Sequence, residues 1–129
     1  MKNYIGIDIS KATLDVYDGN KSYKFENTTQ GFKKIVALCK NISETVFIFE
    51  PTGIYSYALT SFCSENHIGV VMVGPKESRD FARSLKVRSK TDKIDAKVLY
   101  KYQSHVEDNM IKVPTVNHQA IKVQEMLNA

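Results

Sequence analysis

The spacing of apolar positions changes several times along this chain, and each change marks a different element. Over Tyr4–Ser10, Ile5, Ile7 and Ile9 alternate with Gly6, Asp8 and Ser10, a period of two that predicts a strand. A second strand follows over Thr13–Tyr17. Asp18-Gly19-Asn20 then supplies the residues of a tight hairpin, and Ser22–Glu26 returns as a third strand. Phe32, Ile35, Val36 and Cys39 recur at i, i+3, i+4 and i+7, which predicts an amphipathic helix over Thr29–Asn41. Val46–Phe49 is apolar at every position, as in a strand covered on both faces. A second helix over about Tyr55–Asn66 would turn Tyr55, Leu59, Phe62 and Cys63 inward. Ile68–Val73 reads as another buried strand, closed by Gly74-Pro75. A third helix is expected over Lys76–Leu85, a polar link over Lys86–Lys90, and a fourth helix from near Thr91 to about His105.

The order β-β-β-α-β-α-β-α-α joins an antiparallel meander to later βα crossovers. A mixed sheet flanked by helices on both faces fits it best, an α/β arrangement with the element order of the ribonuclease H-like fold. After Ile111 the pattern changes. Val113-Pro114-Thr115 interrupts the chain, and Asn117–Ala129 is helically periodic through Ile121, Val123, Met126 and Leu127. The expected organisation is a domain over residues 1–110, with 111–129 beginning a helical linker to a C-terminal domain absent from this chain.

At 129 residues, 43% hydrophobic and 25% charged, the chain has the composition of one soluble globular domain. It contains no apolar run near the roughly 20 residues that span a bilayer, and a strand begins directly after Met1-Lys2-Asn3. Cys39 and Cys63 lack metal-ligand spacing and fall on apolar helix faces, as reduced core thiols of a cytoplasmic protein would. Charge is unevenly spread: Lys76–Lys101 holds nine bases against four acids, a surplus of five, while the whole chain carries +4. Such a basic stretch suits a phosphate backbone, although a solvated helix face would look the same.

Four carboxylates carry the candidate chemistry. Asp8 lies near the end of the first strand and Glu50 ends the strand Thr45–Glu50, just before Pro51-Thr52-Gly53. Asp92 and Asp95 fall one turn apart in Lys90-Thr91-Asp92-Lys93-Ile94-Asp95-Ala96. At i and i+3 of a helix they would share a face. Hydrolysis or exchange of a phosphodiester needs an activated oxygen nucleophile and neutralised phosphate charge. Two divalent ions about 3.5–4 Å apart supply both, and Mg²⁺ takes carboxylate, water and phosphate oxygens. Each acid also has a plainer reading: Asp8 as a turn cap, Glu50 as a solvated strand end, Asp92 and Asp95 as macrodipole partners beside a Thr91 cap. Asp15 is the rival ligand, with an edge or solvent role favoured for it.

Around these acids, Pro51-Thr52-Gly53 forms either a phosphate-receiving turn or an ordinary βα connection. Lys11 beside Asp8, together with Arg83, Lys86, Arg88, Ser89, Lys90 and Lys93, forms a basic approach to the acidic segment. Tyr55 and Tyr57 suit base stacking, with helix packing the plainer role.

Three segments resemble the DEDD transposases: Ile5-Gly6-Ile7-Asp8-Ile9-Ser10-Lys11, Phe49-Glu50-Pro51-Thr52-Gly53, and Arg88-Ser89-Lys90-Thr91-Asp92-Lys93-Ile94-Asp95-Ala96. That family comprises the one-ten type insertion-sequence recombinases and the Piv/MooV DNA invertases. The resemblance implies a RuvC-like domain of ribonuclease H fold whose acidic tetrad is Asp8, Glu50, Asp92 and Asp95. It further implies Mg²⁺ or Mn²⁺ as cofactor and DNA as substrate of strand cleavage and exchange. Family members assemble as homo-oligomers, and some are guided by a structured RNA; a further domain supplies a nucleophilic serine. A Holliday-junction endonuclease and a noncatalytic nucleic-acid-binding module are the alternatives. A sugar-kinase or actin-like ATPase half is disfavoured because no Gly-Gly pair occurs in the chain.

Overall fold

The computed structural model describes residues 2–85 and 94–115. Five strands, β1 (Asn3–Ile9), β2 (Thr13–Tyr17), β3 (Ser22–Glu26), β4 (Thr45–Phe49) and β5 (Gly69–Met72), form one sheet in the order β3-β2-β1-β4-β5. The first three strands pair antiparallel, and β1-β4 and β4-β5 pair parallel. The β2-β3 hairpin closes as its turn residues dictate. Asp18 Oδ1 accepts from the backbone N–H groups of Asn20 (2.8 Å) and Lys21 (2.7 Å), and Gly19 takes φ +97°, a conformation that costs glycine least.

Helices α1 (Thr29–Ala37) and α2 (Tyr57–Glu65) cover one face of the sheet; α3 (Pro75–Ser84) and α4 (Ala96–Lys101) belong to the other. Alternation along the strands sorts the side chains. Ile5, Ile7, Ile9, Leu14, Val16, Phe47 and Phe49 pack with Phe32 and Ile35 of α1 and with Leu59 and Cys63 of α2. Val46, Ile48, Val71 and Val73 meet Leu99 of α4, while Phe81 and Ala82 of α3 pack against Val98. All five residues of β4 are buried, as its unbroken apolar run requires. This mixed sheet with helices on both faces is the ribonuclease H-like arrangement. Among the described residues no helix is long and apolar enough to cross a membrane.

Three helices differ from the sequence expectation. The first ends at Ala37 rather than Asn41, because Asn41 caps a 3-10 turn over Ile42–Glu44, accepting from Ser43 N at 3.1 Å. A side chain bound to its own local backbone competes with helix continuation in this way, and Cys39 is left beyond the helix end. The second begins as a 3-10 turn over Gly53–Ser56, and Tyr55 is 40% exposed rather than inward. The fourth starts at Ala96, not near Thr91. Asp95 has extended backbone (φ −103°, ψ 178°) and is the N-cap, accepting from Val98 N at 2.9 Å. Aspartate is at least as good a cap as threonine, so the helix begins where its carboxylate takes up an orphan donor. Asp95 therefore does not project from a first helical turn; the expected helix face shared with Asp92 lies outside the described residues.

Helix α4 rests directly on β1. A Cβ added at Gly6 would overlap the Ala96 carbonyl oxygen and stand 2.6 Å from Tyr100 N. Tyr100 also packs edge-on against Tyr17, with centroids 5.2 Å apart. Beyond α4, a 3-10 turn over Asp108–Met110 leads to Lys112, which exchanges both backbone hydrogen bonds with Val70 (2.8 and 3.1 Å). Packed structure thus continues past residue 110.

Two stability outcomes follow. Gly6→Ala is expected to lower the unfolding free energy by about 1–3 kcal/mol, the usual cost of overpacking, read as a reduced urea midpoint at unchanged slope. The Cys63 thiol is fully buried and pushed up to about 12 by loss of hydration. A thiol that ionises less readily folded than unfolded contributes stability below the unfolded thiol's pKa, lost as pH rises toward about 12. Urea melts at pH 7 and 10 should show a larger alkaline loss for the natural chain than for Cys63→Ala. The limiting slope of that component is about 1.4 kcal/mol per pH unit.

Candidate active site

Asp8 and Glu50 come to the carboxyl ends of adjacent parallel strands. The β1-β4 register runs Gly6 opposite Ile48 and Ile7 opposite Phe49, so Asp8 and Glu50 follow as the next neighbours. Gly6 faces α4, and strand alternation puts Asp8 on that same face. Glu50 lies one residue past β4, where Ser78 of α3 donates to its Oε2 at 3.1 Å. Both acids are half-buried.

Asp95 approaches from above the sheet. Its neighbour Ala96 is the residue whose carbonyl meets Gly6, two positions before Asp8 on β1. One Asp95 oxygen serves the helix cap, and the side chain is exposed. The Gly6 contact thus seats the helix capped by Asp95, the fourth acid of the sequence motif, on β1. Among the described residues no three Asp, Glu, His or Cys side chains form a group that could hold a metal ion. Asp15, the rival, stands directly opposite Asp8 in the β1-β2 register and directly opposite Lys24 on its other side. Its place is therefore inside the sheet, half-buried and facing the same way as Asp8. Like charges across a strand pair are unfavourable, and Lys24 offsets part of that cost for Asp15.

Of the expected phosphate contacts, Lys11 is exposed on the β1-β2 turn. Its neighbour Ser10 is committed to that turn, its hydroxyl 2.8 Å from Thr13 Oγ1 and 2.9 Å from Thr13 O. Thr52 is half-buried; its Oγ1 is buried and lacks a hydrogen-bond partner among the described residues. Gly53 follows with φ +53° and open space where a Cβ would stand. Arg83 lies 3.9 Å from Asp80 with both side chains largely exposed, a pairing too weak to hold it from another partner. Lys86, Arg88, Ser89, Lys90 and Lys93 lie outside the described residues, like Asp92.

Three features escaped the pattern of the sequence. Ser78, 2% exposed, faces Glu50; its signal was a lone serine on the buried stripe it shares with Phe81 and Ala82. Asn27 donates to both Ser10 O and Tyr55 O at 2.9 Å, which ties the turn after Asp8 to the turn after Glu50. Tyr55 and Tyr57, 40% and 43% exposed, flank that junction instead of packing inward.

Fold and carboxylates together define a RuvC-like α/β domain with acids at the carboxyl edge of its central strands. A family model described as transposase, of the DEDD IS110 type, matches residues 5–126. The pilin gene-inverting proteins of Moraxella bovis and Moraxella lacunata are each 36% identical over 109 residues, covering 78% of this chain and 34% of theirs. The chain spans about a third of the length of these curated relatives. It belongs to the DEDD transposase family.

The two roles open to Asp95 separate by substitution. Asp95→Asn keeps a good cap and should leave the thermal midpoint nearly unchanged. Asp95→Ala should cost about 1 kcal/mol of stability, read by thermal or urea unfolding. If the carboxylate also serves a cation, both variants should lose Mn²⁺ affinity alike.

Proposed function

We propose that this chain is the catalytic domain of a DNA transposase or site-specific recombinase, in which Asp8, Glu50, Asp92 and Asp95 hold Mg²⁺ or Mn²⁺. The observation that carries the reading is the convergence of Asp8 and Glu50 on one rim of the sheet, beneath the helix that Asp95 caps. The donor set, carboxylate oxygens alone, suits hard divalent cations rather than zinc or copper. Such ions, when bound, supply Lewis-acid neutralisation of phosphate charge and lower the pKa of bound water. The chain's own part is to fix the acids on rigid strands and to bring the phosphate backbone against them.

That second task falls to Lys11, Thr52, Arg83, Lys86, Arg88, Ser89, Lys90 and Lys93, with Tyr55 and Tyr57 offering exposed rings. Relatives that invert a gene must break and rejoin DNA strands, which supports strand cleavage and exchange over binding alone. Residues 1–110 would form the catalytic unit, with 111–129 leading toward the remainder of a longer recombinase.

The test pairs metal titration with strand cleavage. Asp8→Asn and Glu50→Gln should each abolish Mn²⁺ binding by the chain and DNA cleavage by the full-length recombinase, while circular dichroism stays unchanged. Wild-type Mn²⁺ affinity in either variant refutes the assignment. For the basic residues, Arg83→Ala should reduce the dependence of log DNA affinity on log salt by about one unit, the signature of one lost phosphate contact.

A further inference from the structure

Ser78 sits at a position where packing alone would place alanine. It lies on the buried stripe of α3 with Phe81 and Ala82, and is itself 2% exposed. Serine forms helix less readily than alanine, and a buried hydroxyl has to find a partner. This one has two acceptors at equal distance: the Pro75 carbonyl one turn back and Glu50 Oε2, both 3.1 Å. The Pro75 contact is the local bond that any serine in a helix can make. The Glu50 contact is different in kind, because it joins residues 28 apart in the chain and reaches a strand-end carboxylate.

A single hydroxyl proton faces a neutral carbonyl on one side and an ionised carboxylate on the other. Hydrogen bonds to charged acceptors are roughly twice as strong as neutral ones, so the proton favours Glu50 whenever that acid is ionised. The hydroxyl oxygen is itself fixed, since α3 is seated through Phe81 and Ala82 against Val98 of α4. Glu50 follows the end of β4 and precedes Pro51, so its carboxylate is oriented by the side chains it meets, Ser78 among them.

We propose that Ser78 is a positioning residue for Glu50: its hydroxyl fixes the orientation of the carboxylate that receives a divalent cation, and acts on the cation only through that group. The inference rests on the metal reading of Glu50 given above. Hydrogen bonds from the surrounding shell to a ligating carboxylate are typically worth 10–100-fold in metal affinity.

The experiment is a Mn²⁺ titration, by calorimetry or electron paramagnetic resonance, of the natural chain, Ser78→Ala, Ser78→Thr and Glu50→Gln, each with a thermal melt. Ser78→Ala should weaken Mn²⁺ binding about tenfold or more and leave the melting midpoint unchanged or raised, since alanine suits the helix better. Ser78→Thr, which keeps a hydroxyl, should recover most of the affinity. Should threonine crowd the site and melt early, the alanine variant alone decides. Natural affinity in Ser78→Ala overturns the proposal, as does a loss of affinity matched by loss of the fold. Failure of the metal reading gives a different pattern: Glu50→Gln then binds Mn²⁺ as the natural chain does, or the natural chain does not bind it.

Discussion

The contact that sets the helices over the site is between a strand and a helix, at Gly6. The absent side chain lets the first turn of α4 settle onto β1, with the Ala96 carbonyl and the Tyr100 amide where a Cβ would be. The position of Asp95 depends on that contact, because it caps this helix. So does the burial of Leu99 against Val46, Ile48, Val71 and Val73. The seat of α3, and with it Ser78, follows through the packing of Phe81 and Ala82 on Val98. A larger residue at position 6 would lift the helix, and Asp95 would move with it while the core beneath opened.

Much of the fold was legible because its strands follow simple periodicities. Ile5, Ile7 and Ile9 against Gly6 and Asp8, and the unbroken run of β4, mark two strands, and both form; the alternation in β1 hides that α4 covers its Gly6 face as well. The hairpin at Asp18-Gly19-Asn20 was equally plain, since its carboxylate and its glycine do local work. Helix ends were the weaker part. Asn41 and Asp95 each capture a neighbouring backbone N–H, and a hydrophobic pattern carries no record of that competition. A polar residue at a helix margin reads alike whether it caps, ends or continues the helix.

The site was legible in its acids and obscure in their surroundings. Asp8 lies near the end of one strongly apolar strand and Glu50 follows another, so their place at the sheet rim could be foreseen. Their proximity required the parallel pairing of β1 with β4, two strands separated by a hairpin and a helix. Ser78 and Asn27 were hidden for another reason. Their contacts join residues 17 to 28 positions apart, and no local spacing encodes such links. Tyr55 is exposed where an inward helical position was expected, because the segment Gly53–Ser56 is a 3-10 turn rather than the start of the helix.

The short bridge from Lys112 to Val70 closes part of an open sheet margin. Open sheet margins invite strands from other molecules, and natural proteins blunt them with covering segments or charge. Here the β5 margin is clasped by the chain's own later residues, and the β3 margin presents Lys24 and Glu26 to solvent. Among the described residues, then, one margin is partly covered and the other charged, and both features discourage a foreign strand from pairing there.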